Sequence, residues 1–154
     1  MRTIEIVRYQ QRLDRLFKQI EAFSGDAELQ SHWARYLCVL VSGFLENSVR
    51  AIYRQYSRKK AAPYVANYVD AQLKGFQNPK MEKILELTKL FSSEWESELR
   101  SVTQGEPKDA VDSIVANRHR ISHGEFVGVT FTRICDYYKN AIKVIELIEK
   151  QCDQ

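Results

Sequence analysis

The fold is decided by the stretch FTRICDYYKNAIKVIELIEK, residues 131–150. Apolar side chains recur there at steps of three and four, the spacing that places them on one face of an α-helix. They are Phe131, Ile134, Tyr138, Ala141, Ile145 and Ile148. The sequence therefore predicts a long amphipathic helix near the end of the chain.

The same spacing recurs upstream of this stretch. Helices are predicted over about residues 3–23, from near Asp26 or Ser31 to about Arg58, over 63–74 and 79–91, within 92–106, and from Pro107 to near Gly124. Pro63 and Pro79 suit the first turns of their helices, where the missing N–H of proline costs no hydrogen bond. The Ser24-Gly25-Asp26 segment is predicted to end the first helix.

Strands are not expected in this chain. It has only 6 Gly and 3 Pro among its 154 residues, and no Asn-Gly or Asp-Gly pair signals a hairpin. A chain of this length builds one domain with one core. We predict an all-α, up-down bundle of four to six helices, a single domain over residues 1–154.

Composition excludes several classes of protein. With 44% hydrophobic and 28% charged residues, the chain is neither collagen-like nor low-complexity nor largely disordered. The longest apolar run, Leu37 to Val41, is far shorter than the roughly 20 residues of a bilayer span, and we expect neither a membrane segment nor a signal peptide. Cys38, Cys135 and Cys152 lack zinc-site spacing and are interpreted as reduced thiols of a cytoplasmic protein. Neither a metal nor a cofactor is expected.

A basic segment lies at the end of the second predicted helix. Residues 50–60 contain five cations and no acid, although the net charge of the chain is only +3. The cations are Arg50, Arg54, Arg58, Lys59 and Lys60. Nearby rings are those of Tyr53, Tyr56, Tyr64 and Tyr68. Cations interleaved with rings that stack on unpaired bases predict an RNA contact. The alternative is a solvated helix end whose tyrosines pack on the core.

The apolar pattern is interrupted at Arg118. The stripe of its helix runs through Val111, Ile114 and Val115, and the next position on the same face is Arg118. Burying an unpaired guanidinium is costly. We therefore expect that Arg118 reaches a carboxylate or a water-filled cleft, or that the helix leaves the core at this point.

The segment Asn117-Arg118-His119-Arg120-Ile121-Ser122-His123-Gly124 holds two of the three histidines of the chain. An imidazole exchanges protons near neutral pH and a guanidinium holds phosphate charge, so the pair is suited to phosphodiester chemistry. Arg118 and His123 point apart on a continuous helix, and a helix end at 122–124 lets His123 turn back. The alternative is a basic helix end that complements the helix dipole.

On these residues the chain resembles a HEPN domain, an all-helical family of bacterial defence, toxin and RNA-processing proteins. The family signature is Arg, a polar residue, three further residues and His, which Arg118 to His123 matches with His119 as the polar residue. Val41-Ser42-Gly43-Phe44-Leu45-Glu46 and Ile121-Ser122-His123-Gly124 resemble the RiboL-PSP-HEPN branch. The resemblance covers about residues 26–150.

The resemblance implies a metal-independent endoribonuclease that acts as a homodimer with a composite cleft. His123 would move protons, Arg118 would stabilise the phosphorane, and His119 would orient them. Asn117 and Ser122 would add hydrogen bonds. The products would carry 2′,3′-cyclic phosphate and 5′-hydroxyl ends.

The resemblance also implies a defence or toxin–antitoxin setting with a protein partner. Toxins of this kind that a nucleotidyltransferase silences carry a tyrosine two residues after the histidine. That position is Glu125 in this chain, so silencing by that route is not expected.

Two further predictions concern charged neighbours. Glu46 is predicted to hold Arg118 through a bidentate pair, or alternatively to pair with Arg50 one turn away on its own helix. Arg120 is predicted to contact RNA together with the basic segment. The alternative function is a non-catalytic HEPN module that binds RNA, a nucleotide or a partner protein.

Overall fold

The computed structural model describes residues 2–23 and 25–154, which form seven helices and no strand. The helices are α1 (Ile4–Glu21), α2 (Ala27–Lys60), α3 (Pro63–Leu73), α4 (Met81–Phe91), α5 (Ser93–Thr103), α6 (Glu106–Ser122) and α7 (Phe131–Cys152). The all-α prediction is confirmed, but the predicted number of four to six helices is too small. Ser24, predicted in the turn after α1, lies outside the described residues.

Side-chain caps fix where several helices begin. Thr3, Asp26, Ser92 and Thr130 each accept a hydrogen bond from the backbone N–H three residues ahead. Such a cap satisfies one of the N–H groups that have no partner within the helix. These four short polar residues therefore set the starts of α1, α2, α5 and α7.

The start of α4 differs from the prediction. The helix begins at Met81 rather than at Pro79, and the carboxylate of Asp112 in α6 accepts the Met81 N–H at 2.8 Å. Pro79 is buried just before this start. A cap from a distant helix, which leaves no local signal, thus decides the boundary.

The core forms around α2, the longest helix, with 34 residues. Helices α1, α3, α6 and α7 all pack against it. Leu37, Phe44 and Tyr53 of α2 are fully buried, as are Ile134 and Ile145 of α7. The apolar stripes of α2 and α7 therefore share one core, with the Arg118 end of α6 beside it.

Helix α1 belongs to this core. Its Phe17 ring stacks on Tyr138 of α7 with centroids 4.6 Å apart. The Tyr138 hydroxyl donates to Asp14 Oδ1 at 2.6 Å, which ties α1 to α7 a second time. The apolar stripe of α1 therefore packs within this chain.

Across the described residues, no helix combines the length and the apolar character that a bilayer crossing requires.

Candidate functional site

The candidate motif lies where α6 ends. Gly124 has φ +76°, in the left-handed region that glycine favours. Its N–H donates to the Ile121 carbonyl, and the Glu125 N–H donates to the Arg120 carbonyl, both at 3.0 Å. These two bonds form a Schellman motif, which ends the helix with His123 at the C-cap. The predicted helix end at 122–124 is confirmed.

Two imidazoles meet on the surface at this helix end. His119 and His123 are both exposed, and their ring centroids lie 4.4 Å apart with an interplanar angle of 61°. Ser122, which lies between them in sequence, donates its hydroxyl to the His119 carbonyl at 2.8 Å. The Ser122 side chain therefore satisfies a carbonyl at the helix end and holds the turn that carries both rings.

Arg118 immediately precedes His119 in α6, and its side chain is half-buried. Its guanidinium forms no hydrogen bond or ion pair within residues 2–23 and 25–154. Val115 is the last buried residue of α6, and the positions from Ala116 onward are half-buried or exposed. We expected Arg118 to reach a carboxylate or a water-filled cleft, or the helix to leave the core at this point. The structure shows that the helix leaves the core and that the cation has no carboxylate partner among the described residues.

The structure does not bring Glu46 to Arg118. Glu46 Oε2 accepts from the Arg50 guanidinium at 3.1 Å, and its Oε1 accepts from the Asn78 N–H at 2.6 Å. The predicted Glu46–Arg118 pair is therefore wrong within this chain, and the i, i+4 alternative is observed. Glu46 joins α2 to the α3–α4 turn because Asn78, with φ +49°, presents its N–H there.

Most of the predicted RNA-contacting arginines are already paired. Arg50 donates to the Phe76 carbonyl at 2.8 Å as well as to Glu46. Arg54 and Arg58 both bind the carboxylate of Asp70 in α3, at 2.7 and 3.3 Å. These contacts leave Lys59 and Lys60 as the basic segment's exposed cations without an ion pair in the described part of the chain.

The four tyrosines of this region divide into two groups. Tyr53 is buried, stacks on Phe91 at 4.5 Å, and shares a 2.7 Å hydrogen bond with Thr88. Tyr56 is half-buried and meets Phe91 edge to face. Tyr64 and Tyr68 are 88% and 65% exposed. The core-packing alternative therefore describes the first two, and only Tyr64 and Tyr68 offer open rings.

The remaining predicted residues lie around the end of α6. Arg120 Nε donates to Glu125 Oε2 at 2.9 Å, a pair in which both side chains are about half exposed. Asn117 is half-buried and lines a cavity between α6 and α7. Arg133 and Tyr137 of α7 line the same cavity. No local sequence pattern distinguishes Arg133 and Tyr137, because nothing local connects α7 to the motif.

Metal-ligating side chains do not cluster in the described ranges. No group of three or more His, Cys, Asp or Glu residues there is arranged to hold a metal ion. The three cysteines are free thiols, and Cys38 is fully buried against α6, with its Sγ 3.5 Å from the Ile114 carbonyl.

The fold and this helix end agree with the features on which the chain resembles a HEPN domain. The model of the RiboL-PSP-HEPN family matches residues 4–154. Because this match spans almost the whole chain, the protein belongs to the RiboL-PSP-HEPN family, and the predicted assignment is confirmed. The match includes α1, which the resemblance over residues 26–150 left out. Comparison with curated proteins gave no match, and neither did comparison with solved structures.

Proposed function

We propose that this protein is a metal-independent endoribonuclease of the HEPN type. The observation that carries the proposal is the half-buried Arg118 guanidinium, which no carboxylate neutralises within the described residues, on the same helix end as the exposed imidazole of His123. An unpaired guanidinium is available to a phosphate, which it binds through two parallel hydrogen bonds. Family membership supports an RNA-related role for the same residues.

In this reaction the ribose 2′-oxygen attacks the adjacent phosphorus and the bond from phosphorus to the 5′-oxygen breaks. An imidazole at His123 accepts the proton of the 2′-hydroxyl or donates one to the leaving 5′-oxygen. The products carry a 2′,3′-cyclic phosphate and a 5′-hydroxyl. His119 restricts the His123 ring through their edge-to-face contact and so acts as a positioning residue.

Arg118 stabilises the negative charge of the transition state. Negative charge increases on the phosphorane oxygens as the new bond forms, and a guanidinium already in place stabilises this charge more than the ground state. Half-burial strengthens the interaction because fewer water molecules screen it. Loss of this charge is therefore expected to lower the rate more than the affinity for RNA.

A homodimer would complete the site. The end of α6 is exposed from His119 onward except for the half-buried Ile121, so a second copy can approach it. Two copies related by a twofold axis would place both Arg118 and both His123 side chains in one composite cleft. One histidine would then act as base and the other as acid, because a single imidazole cannot hold both protonation states at once.

Residues outside the catalytic motif indicate where RNA would bind and how the protein would be regulated. Lys59 and Lys60, with the open rings of Tyr64 and Tyr68, are the part of the basic segment free to bind unpaired RNA. Glu125 pairs with Arg120, and the chain has no tyrosine at that position for a silencing enzyme to modify. A defence or toxin–antitoxin role with a protein partner fits family membership.

The experiment compares wild type with Arg118→Ala and His123→Ala on a mixed RNA pool in EDTA. We expect new RNA ends with wild type and at least about a hundredfold slower cleavage with either variant, the typical contribution of one acid–base or oxyanion group. His32→Ala and Arg8→Ala are matched controls, since both side chains are exposed and lie on other helices. Full cleavage by His123→Ala would contradict the proposal.

Binding without cleavage would point to the second candidate. If wild type binds RNA and forms no new ends during long incubation, with or without added metal, the protein is a non-catalytic HEPN module. Sedimentation in the same buffer measures whether the protein is the dimer that the composite cleft requires.

A further inference from the structure

A cavity of about 510 Å³ opens between the end of α6 and the beginning of α7, beside the proposed catalytic residues. It is lined by Asn117, Arg120, Val127, Gly128, Val129, Thr130, Arg133 and Tyr137. Two of these residues are cationic and none is acidic. We call this cavity the α6–α7 groove.

The α6–α7 groove is adjacent to Arg118 but does not include it. Asn117 and Arg120 are three residues apart and so share one face of α6, whereas Arg118 points about 100° away from Asn117. A ligand group in the groove would therefore lie next to a phosphate held at Arg118. The groove and the catalytic residues are neighbouring subsites of one surface.

The cations of the groove are available to a ligand. Arg133 is exposed, and its guanidinium has no hydrogen bond or ion pair in the part of the chain that the structure describes. Arg120 is held by Glu125, but ion pairs between side chains this exposed contribute little. A phosphate can therefore bind Arg133 directly and compete for Arg120.

The uncharged groups of the groove complement the cations. Thr130 Oγ1 accepts the Arg133 N–H at 3.1 Å, which leaves the hydroxyl hydrogen free to donate. The Asn117 amide adds two donors. Tyr137 is half-buried and borders the groove with its ring. Donors around a cationic centre, with no carboxylate among the lining residues, match a phosphate oxygen rather than an ammonium or a metal ion.

A second cavity, next to the α6–α7 groove, does not share its excess of positive charge. It also has a volume of about 510 Å³, and it shares Arg133 and Tyr137 with the α6–α7 groove. Its lining includes three acids, Glu106, Asp109 and Asp136, against the three cations Arg133, Lys139 and Lys143. Because these charges cancel, the second cavity is not expected to attract a phosphate.

From this geometry we infer that the α6–α7 groove binds the phosphate of the nucleotide adjacent to the cut, with Arg133 as its main contact. The inference rests on the proposed function, since it takes the ligand to be the RNA strand that Arg118 and His123 cleave. Arg133 is in this account a binding residue that sets the register of the strand, not a catalytic one.

The test measures binding of a 2′-O-methyl oligoribonucleotide, which cannot be cleaved by attack of the 2′-hydroxyl. Arg133→Ala is expected to weaken binding about fivefold and to lower the slope of log K against log salt by about 0.7, the value for one phosphate contact on a single strand. Arg133→Lys is expected to retain the slope, because the charge remains. Arg8→Ala, on α1, is the matched control.

Unchanged binding by Arg133→Ala, or no binding by wild type, would overturn the inference. Inorganic phosphate forms a second arm and is expected to bind at least about tenfold more weakly than the oligonucleotide, because it lacks the neighbouring contacts. Equal affinity would overturn the assignment to RNA. Cleavage measured on the same preparations separates the two proposals. Cleavage with Arg133-independent binding contradicts only the groove. Arg133-dependent binding without cleavage contradicts the catalytic role and the position relative to a cut, and retains Arg133 as a phosphate contact.

Discussion

The rings of His119 and His123 meet edge to face with centroids 4.4 Å apart, one turn from each other at the end of α6. His119 and His123 are i, i+4 neighbours on α6, which stops at Ser122 with the backbone of His123 at the C-cap. The family motif therefore coincides with a helix terminus. The terminus orients the imidazoles, and Arg118 remains on the last regular turns behind them.

Gly124 is expected to control this geometry. Gly124→Ala places a Cβ at φ +76°, where an L-residue costs about 1–2 kcal/mol, although no atom lies within 4 Å of the added carbon. We expect a loss of about 1 kcal/mol in the free energy of unfolding, measured with urea, and a larger proportional loss of RNA cleavage because His123 shifts.

Gly75→Ala is the matched control, since the added carbon would meet only the Gln72 carbonyl oxygen, at an ordinary 3.6 Å, and Gly75 has no positive φ. It is expected to leave the free energy of unfolding within about 0.5 kcal/mol of wild type. Equal effects of the two substitutions would mean that the left-handed turn does not hold the site.

Phe17 tests whether α1 is part of the core. Phe17→Ala removes a buried ring that stacks on Tyr138, and we expect a loss of about 3 kcal/mol in the free energy of unfolding. Chemical denaturation of the purified protein measures it. Phe126→Ala, which removes a ring that is 77% exposed, should have almost no effect. A loss below about 1 kcal/mol for Phe17→Ala would show that α1 is not docked as described.

The buried thiol of Cys38 is expected to make the free energy of unfolding depend on pH. Burial raises the pKa of its thiol from 9.0 to about 12. The unfolded chain therefore releases this proton at lower pH than the folded chain, so the stabilisation is complete below pH 9 and is lost as the pH rises towards 12. Between pH 7.5 and pH 10.5 the free energy of unfolding is expected to fall by about 2 kcal/mol through Cys38 alone.

Cys38→Ala removes this thiol. Between pH 7.5 and pH 10.5 its free energy of unfolding should therefore fall by about 2 kcal/mol less than that of wild type. Urea denaturation at both pH values provides the comparison. Identical falls in wild type and Cys38→Ala would mean that the thiol is not buried as a neutral group.

Asp70 is expected to restrain the basic segment. Asp70→Asn keeps the shape of the side chain but removes the charge that holds Arg54 and Arg58. Release of two guanidiniums should strengthen binding of an uncleavable oligonucleotide and steepen its salt dependence by about 0.7 for each new phosphate contact. Glu94→Gln, an exposed acid on α5, is the control, and an equal effect of both would contradict the prediction.

Local patterns predicted most of the helices. The steps of three and four in residues 131–150 gave a helix that the structure extends from Phe131 to Cys152. Arg118 was recognised as a break in an apolar stripe because burial follows helical periodicity. The end of α6 was predicted from Gly124, whose conformational freedom is a property of the residue itself.

Contacts between distant segments could not be predicted in the same way. Glu46 binds the Asn78 N–H 32 residues away, and Asp112 caps Met81 across 31 residues. Asp70 neutralises two arginines of α2 from a different helix. Such pairs depend on how helices pack, and a single sequence does not show which charged side chains will meet. For the same reason the α6–α7 groove and Arg133 became visible only in three dimensions.

RNA cleavage by attack of the 2′-hydroxyl is distinguished from other mechanisms by the chemistry of the product ends. Wild type is incubated in EDTA with a defined RNA, and with the same RNA carrying a single 2′-deoxy substitution at the mapped cut position. We expect 2′,3′-cyclic phosphate and 5′-hydroxyl ends on the RNA and no cut at the deoxy position. Products with 3′-hydroxyl and 5′-phosphate ends, or cleavage at the deoxy position, would contradict it.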